Sequence, residues 1–194
     1  MPAQSPRLAV TVASARPGGA GQTVAKWFLG QAEEHGYSDV DVISLAEAAL
    51  PLVTGGPADD PRPPAVVDLG RRIDSAEGFV VVTPEHNHSF PALLKNAVDW
   101  YRREWYAKPV AFVSYGGISG GLRAVEQLRL VFAELHAPTM RDSVSFHRVW
   151  EQFDEAGRPG DPVGCGLAAK TMLDQLGWWA QSLTEARAKR PYTS

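Results

Sequence analysis

At residues 78–83 the chain reads Gly78-Phe79-Val80-Val81-Val82-Thr83, in which four large apolar residues follow one another. They do not alternate with polar residues, which is typical of a strand in a parallel sheet with both faces covered. Pro84 follows directly and holds the residue before it extended. The stretch therefore predicts a central buried strand that leaves the sheet along a defined line.

Strand and helix patterns alternate along the rest of the chain. Strands are predicted at residues 8–13, 39–45, 78–83, 109–114 and 139–146. Helices are predicted at residues 22–35, 66–76 and 122–135, from Phe90 with Ser89 as its N-cap, and through Leu173 to Leu183. Residues 46–64 contain five prolines and are predicted to be mostly loop.

Five strands alternating with helices are the pattern of βαβ units. They predict a parallel sheet with helices on both faces. If the strand order is the flavodoxin-like 2-1-3-4-5, the loops after strands 1, 3 and 4 lie where the order reverses, and such sheets bind ligands there. These three loops are also the ones that contain most of the chemically distinctive residues.

Composition limits the choice of function. The 194 residues suit a single domain, 1–194, with its core at about 7–185. A formal net charge of -3 offers no basic field for nucleic acid or an anionic membrane. The lone cysteine, Cys165, excludes an intrachain disulfide, and we find neither a signal peptide nor an apolar run of bilayer length. We therefore expect a cytoplasmic protein that binds neither nucleic acid nor membranes.

The loop after strand 1 joins a strand to a helix N-terminus through small residues. Backbone N–H groups and the helix dipole favour an anion at such a position. Arg16 can add a bidentate contact to phosphate, and Ser14 and Thr23 supply hydroxyl groups. The pattern is neither a P-loop nor a Rossmann fingerprint. The alternative to a phosphate-binding loop is therefore a flexible surface turn in which Arg16 is solvated.

The loop after strand 3 runs from Pro84 to Pro91 and presents polar side chains at the sheet edge. His86 and His88 with Glu85 invite a metal interpretation, but no other histidine or cysteine falls at ligand spacing. We therefore predict no metal site here.

The loop after strand 4 contains Gly117-Ile118-Ser119-Gly120-Gly121, which fits the Gly-x-Ser-x-Gly elbow of serine hydrolases. A triad in the usual chain order would need Asp142 and His147. Only five residues separate these two, and a hydrolase would leave the Arg16 loop without a role. The alternative use of the glycines is steric, since they let a flat ligand lie against the backbone.

Three groups of residues together resemble the NADPH-dependent FMN reductase family, in its quinone, chromate and azo reductase branch. They are Pro84 to Pro91 followed by Leu94-Lys95-Asn96-Ala97 and Asp99-Trp100; Tyr115-Gly116-Gly117 with Ser119 to Ala124; and Ser14-x-Arg16 with Gly21. The resemblance extends from Leu8 to about Leu183. Two residues depart from the family pattern, because Ala13 replaces a glycine and His86 replaces a tyrosine.

The resemblance implies a flavodoxin-like three-layer sandwich that binds FMN without a covalent bond. The phosphate would be held by Ser14, Arg16, Gly21, Gln22 and Thr23. The isoalloxazine edge would be lined by Pro84, Glu85, His86 and Asn87, with backbone N–H groups near N5 and O4. The other side of the ring would meet Ser114, Tyr115, Gly116 and Gly117, with backbone donors easing charge near N1 and O2. No side chain is expected as a catalytic acid or base.

The resemblance also implies an enzyme that passes hydride from NADPH to FMN and then to a small acceptor in a ping-pong cycle. The acceptor could be a quinone, free flavin, an azo compound or chromate. A flavin electron carrier or redox sensor stays open as a non-enzymatic alternative. Family members form dimers or dimers of dimers, and adjacent Trp178 and Trp179 favour such a homo-oligomer, since two neighbouring residues cannot share one helix face.

Overall fold

The computed structural model describes residues 5–14, 16, 18–52 and 62–193. Its strands are β1 (Leu8–Val12), β2 (Val40–Ser44), β3 (Gly78–Pro84), β4 (Val110–Tyr115) and β5 (Val144–Phe146). Its α-helices are α1 (Ala20–Glu34), α2 (Pro64–Ser75), α3 (Ala92–Asp99), α4 (Leu122–Glu134) and α5 (Pro162–Lys189). Two short 3₁₀ helices cover Arg103–Trp105 and Val149–Glu151. Residues 53–61 of the predicted proline-rich loop lie outside the described part.

The five strands form one parallel sheet in the order β2-β1-β3-β4-β5. This confirms the predicted flavodoxin-like α/β fold. β2 lies on one side of β1 and β3 lies on the other, so the direction in which successive strands are added to the sheet reverses between β1 and β3. The carboxyl ends of β1, β3 and β4 consequently face one region. Within the described ranges, no helix combines the length and the apolar character needed to cross a membrane.

β3 sends alternate side chains into two separate cores, as its unbroken apolar run predicts. Phe79 and Val81 pack with apolar residues of α2, α3 and α4, whereas Val80 and Val82 pack with those of α1 and α5. All seven residues of β3 are buried. Full burial of each large side chain contributes about 1.5–3 kcal/mol, so β3 is the strand that fixes both helical layers to the sheet.

The fifth strand is shorter than the prediction of residues 139–146. Thr139 makes only an isolated bridge to Val110, and regular pairing with β4 begins at Val144. Between them, Arg129 of α4 donates hydrogen bonds to the carbonyl oxygens of Met140 and Arg141. These carbonyls are thus bonded to a helix side chain, which explains why an alternating pattern did not give a continuous strand.

The prediction of Ser89 as the N-cap of α3 is wrong. The helix begins at Ala92, and Pro91 occupies the N-cap position without a side-chain cap. The hydroxyl group of Ser89 instead donates to Oε1 of Gln127 at 2.5 Å. Ser89 therefore connects its loop to α4.

The outer strand β2 is tied to α2 by one side chain. Nε and Nη2 of Arg72 donate to the two carboxylate oxygens of Asp41 at 2.9 and 2.7 Å. Nη2 also donates to the carbonyl oxygen of Val42 at 2.8 Å. The Arg72 guanidinium lowers the pKa of Asp41, so this contact stays ionic at neutral pH.

Lys108 is a buried cation at the opposite end of the sheet, just before β4. Its side chain is 7% exposed, and Nζ donates to the carbonyl oxygens of Ile73 and Asp74 at 3.1 and 2.6 Å, at the end of α2. Burial lowers the pKa of Lys108 to about 8, although the nearby Asp74 carboxylate acts in the opposite direction.

This burial makes stability depend on pH. Between about pH 8 and 10 the unfolded chain still holds the Lys108 proton while the folded chain releases it, so the free energy of unfolding should rise by about 2 kcal/mol. Above pH 10 the trend should reverse, because burial raises the pKa of Tyr37 and of Tyr101 to about 12. Urea unfolding of the wild type and Lys108→Met across this range is the measurement. A rise that persists in Lys108→Met would contradict the assignment.

Candidate functional site

A cleft of about 630 Å³ opens at the carboxyl ends of β1, β3 and β4. This volume lies within the range of about 300–1,000 Å³ that is usual for small-molecule sites. The cleft is lined by Ser14, Arg16, Gly19, Ala20, Gly21, Pro84, Glu85, His86, Tyr115, Gly116, Gly117, Val149 and Trp150. It therefore brings together the three loops that the sequence singled out.

One end of the cleft is built for an anion. Helix α1 begins at Ala20, and its N-cap is Gly19, which has no side chain to satisfy the first N–H groups of the helix. Arg16 and Ser14 line the same end. Backbone donors, the positive end of the helix dipole and a guanidinium thus converge where a phosphate could bind.

Tyr115 crosses beneath this anion end. It is 6% exposed, and its phenol forms a hydrogen bond with Ser14. Burial raises the pKa of Tyr115, and the Ser14 hydrogen bond and the charge of Arg16 offset this only in part. The phenol therefore stays protonated at neutral pH. Tyr115 thus lines the cleft and supports the loop that carries Ser14.

Gly21 is the point of closest approach in this loop. A Cβ atom there would lie 2.3 Å from the Tyr115 hydroxyl oxygen and 2.6 Å from Cβ of Ser14. Both distances are below any normal contact, so only glycine lets α1 start directly against β1 and β4.

The second wall is a tight turn at residues 86–89. The N–H of His86 donates to the carbonyl of Ser89 at 2.8 Å, and the N–H of Ser89 donates back at 3.0 Å. Asn87 and His88 between them have φ values of 49° and 72°, as a type I′ turn requires. Nε2 of Gln127 donates to the carbonyl of His88 at 2.6 Å, so α4 fixes the turn from behind.

Glu85 joins the loops after β3 and β4. Its side chain is 10% exposed and accepts hydrogen bonds from the Ser119 hydroxyl, the Arg123 backbone N–H at 3.3 Å and Nη1 of Arg123 at 3.2 Å. The Glu85 N–H also donates to the carbonyl of Tyr115 at 3.1 Å. These contacts hold the two walls of the cleft at a fixed separation.

The arrangement around Ser119 does not form a hydrolase triad. The Ser119 hydroxyl donates to Glu85, and Nδ1 of His147 bonds to the carbonyl of Ile118 at 3.0 Å. Asp142 is bonded instead to Arg141 and Gln175. The serine of the Gly-x-Ser-x-Gly sequence thus positions a carboxylate, and among the residues that the structure describes no histidine is hydrogen-bonded to its hydroxyl group.

Val149 and Trp150 line the cleft although the sequence did not single them out. They belong to the short 3₁₀ helix that follows β5. The N–H groups of Arg148 and Val149 donate to the carbonyls of Gly117 and Gly116 at 2.8 and 3.1 Å. A three-residue helix is too short to show a hydrophobic period in the sequence. The one signal that could have pointed to these lining residues was a tryptophan just beyond the end of a predicted strand.

Comparison with known proteins defines the family. Residues 6–151 match the profile described as NADPH-dependent FMN reductase. The chain belongs to this family. An NAD(P)H-dependent FMN reductase of Schizosaccharomyces pombe is 34% identical over 149 residues, which cover 70% of this chain and 72% of that protein. A probable NADPH:quinone oxidoreductase of Oryza sativa is 35% identical, with 63% of each chain covered. A quinone reductase of Escherichia coli is 38% identical over 48% of this chain and 53% of its own.

Solved structures confirm the fold of this FMN reductase family member. FerB, a flavoenzyme NAD(P)H:(acceptor) oxidoreductase from Paracoccus denitrificans, superposes with a TM-score of 0.73 at 23% identity, covering 91% of this chain and 98% of its own. RosB, solved with a bound riboflavin phosphate derivative, gives a TM-score of 0.77 at 14% identity, covering 98% and 83%. The fold agrees with the family match, and it is that match and the relatives named as FMN reductases and quinone reductases that make the chain an oxidoreductase.

The cleft fits the FMN that this family uses. It offers an anion end for a phosphate and, at the other end, an open wall that includes Gly116 and Gly117. A Cβ atom at Gly117 would lie 3.5 Å from the Trp150 ring, an ordinary contact distance, so the main chain there faces the cleft next to this indole. Pocket size, donor chemistry and flatness all agree with a flat ring joined to a phosphate.

Nine of the thirteen predicted binding residues line the cleft, namely Ser14, Arg16, Gly21, Pro84, Glu85, His86, Tyr115, Gly116 and Gly117. Gln22 and Asn87 are exposed beside it, and Thr23 is half-buried within α1. Ser114 is fully buried, and its hydroxyl donates to the carbonyl of Gly120 at 2.9 Å. Ser114 thus packs under the glycine loop, with its side chain away from the cleft.

Proposed function

We propose that this chain binds FMN in the cleft and uses it to reduce a small acceptor of the quinone type with NAD(P)H, in a ping-pong cycle. The observation that carries the proposal is the cleft at the sheet reversal, which joins an anion end to a wall that includes Gly116 and Gly117. When bound, FMN accepts a hydride from the nicotinamide and passes it to the acceptor, so that NADPH, H⁺ and a quinone become NADP⁺ and a hydroquinone.

The anion end holds the phosphate in this proposal. Arg16 contributes charge and a planar donor fork, and the N–H groups at the start of α1 contribute the helix dipole. Ser14 gives a hydroxyl group whose position Tyr115 fixes. Gln22 and Thr23 follow in the first turn of α1, beside the cleft, and stay predicted contacts of the phosphate.

The backbone donors for the ring are fewer than the sequence analysis expected. The N–H groups of Glu85, His86 and Gly116 already donate to the carbonyls of Tyr115, Ser89 and Phe146. Within the part of the chain that the structure describes, the N–H groups of Asn87 and Gly117 make no backbone hydrogen bond. We assign these two, one on each wall, as the donors that orient the ring and ease negative charge on it.

Glu85 and His86 line the cleft, but hydride transfer itself needs no side-chain base, and the proton that completes the hydroquinone can come from solvent. The chain's task is to position the ring and keep one face open. The bonds of Glu85 to the glycine loop and of Gln127 to the turn at residues 86–89 make both walls rigid before any ligand binds, which lowers the cost of ordering the site.

Reconstitution tests the function directly. The apoprotein should bind FMN, and excess NADPH without oxygen should bleach the bound flavin. Addition of a naphthoquinone should restore its absorption and sustain steady-state NADPH oxidation with parallel lines in double-reciprocal plots. Failure to bind FMN would overturn the proposal. Bleaching without multiple turnovers would favour the electron carrier, and intersecting lines would exclude the ping-pong order. Parallel assays with NADH measure the nucleotide preference.

A further inference from the structure

Trp150 is a large apolar side chain that the cleft leaves open to solvent. Its exposed fraction is 67%, and its six-membered ring lies 3.5 and 3.9 Å from the position that a Cβ atom would take on Gly117. The indole therefore stands beside the wall that includes Gly116 and Gly117. His86 lines the same cleft and is also exposed, so the mouth has ring side chains contributed by two of its loops.

The position of Trp150 is fixed by main-chain contacts. The N–H groups of the two preceding residues are bonded to the carbonyls of Gly117 and Gly116. Arg148 has a φ of 45°, a left-handed conformation that non-glycine residues adopt at an energetic cost. Nε1 of Trp150 donates to Oε1 of Glu151 at 3.0 Å. An indole held this way while most of its surface contacts water is arranged to meet a ligand rather than to fill a core.

The position of Trp150 in the cleft indicates which kind of ligand it would contact. The phosphate end lies at Ser14 and Arg16, and the ring wall lies at Gly116 and Gly117, whereas Trp150 stands at the solvent side of that wall. A molecule that enters the cleft along this wall can therefore contact the exposed indole. An aromatic surface of this kind favours a flat conjugated molecule through offset or edge contacts.

We propose that Trp150 is a specificity-determining residue that forms a docking platform for planar aromatic acceptors such as quinones. The inference rests on the proposed function and adds to it the residue that selects the acceptor. Trp150 contacts the acceptor, and it takes no part in holding FMN. Trp150 contributes nothing to the binding of small acceptors that have no ring system.

The test compares Trp150→Leu with Trp150→Phe, a matched pair in which one side chain keeps an aromatic ring and the other is apolar without one. NADPH oxidation is followed with a naphthoquinone and, separately, with ferricyanide, which takes electrons without a ring to stack. Trp150→Leu should raise KM for the naphthoquinone by about two- to tenfold, the factor expected for loss of one aromatic pair. The KM of Trp150→Phe for the naphthoquinone should stay within about twofold of the wild-type value. In both variants, ferricyanide turnover and the Kd for FMN should also stay within about twofold of the wild-type values.

Other results would overturn the inference. An unchanged KM for the naphthoquinone in Trp150→Leu would show that the indole does not contact the acceptor. A matching loss with ferricyanide, or a raised Kd for FMN, would show that it supports the cofactor instead. The wild-type protein separates this outcome from failure of the proposed function, because a wild type that neither binds FMN nor turns over with ferricyanide would refute that function whatever Trp150 does.

Discussion

Gly21→Ala is expected to weaken FMN binding by about 1–3 kcal/mol, or roughly 5- to 150-fold in Kd, the usual cost of overpacking a tight site. The added methyl group would collide with the Tyr115 hydroxyl and with Cβ of Ser14. Tyr115 is buried and cannot swing into solvent, so the loop that carries Ser14 and the start of α1 must separate. Quenching of flavin fluorescence on titration measures the Kd.

The same helix offers a matched control. Gly30 also lies in α1, but a Cβ atom there would meet nothing within 4 Å. Gly30→Ala should therefore raise the free energy of unfolding by about 0.5–1 kcal/mol through helix propensity and leave the Kd for FMN unchanged. Equal effects of the two substitutions on FMN binding would show that Gly21 has no special steric role.

Arg16→Ala should weaken FMN binding by about 1.5–3 kcal/mol, the range for a hydrogen bond to a charged group. Arg16 is exposed and lines the anion end of the cleft, so its removal takes away a phosphate contact without opening a core. The free energy of unfolding of the apoprotein should accordingly stay within about 0.5 kcal/mol of the wild type, as for other surface substitutions.

Arg16→Lys distinguishes charge from geometry. A lysine keeps the positive charge but loses the planar fork that suits two phosphate oxygens, so its Kd should fall between those of the wild type and the alanine variant. Isothermal titration calorimetry measures the Kd of each variant for FMN and, in parallel, for riboflavin, which lacks the phosphate. An Arg16→Ala variant with a wild-type Kd for FMN, or one that loses riboflavin equally, would refute the phosphate assignment.

Most of the fold could be predicted from local patterns. The run at residues 78–83 was correctly interpreted as a strand buried on both faces because burial on both faces removes the alternation. The beginning of the fifth strand could not be predicted, since it depends on Arg129, which reaches across from α4. Ser89 has a good N-cap side chain, yet the Gln127 side chain competes for it. Both errors arise where a distant side chain overrides a local preference.

The site was predictable as three loops but not as an arrangement of bonds. The sequence placed backbone donors among Pro84 to Asn87 and around Gly116 and Gly117, whereas in the structure the N–H groups of Glu85, His86 and Gly116 bond to other parts of the chain. The Gly-x-Ser-x-Gly elbow was ambiguous because a motif says nothing about which side chain the serine will meet. Glu85 decides the matter, and its pairing with Ser119 spans 34 residues.

The two outer strands have a bearing on how copies of the chain can associate. An unpaired strand edge can template edge-to-edge stacking and aggregation, and proteins blunt such edges with charged side chains or very short strands. Here β5 has three residues, and Arg72 and Asp41 place an ion pair on β2. Neither edge strand is therefore suited to pair with a second copy of the chain in a continuous sheet. The homo-oligomer predicted from the sequence would instead use a helical surface such as that of α5, where Trp178 and Trp179 are 64% and 40% exposed.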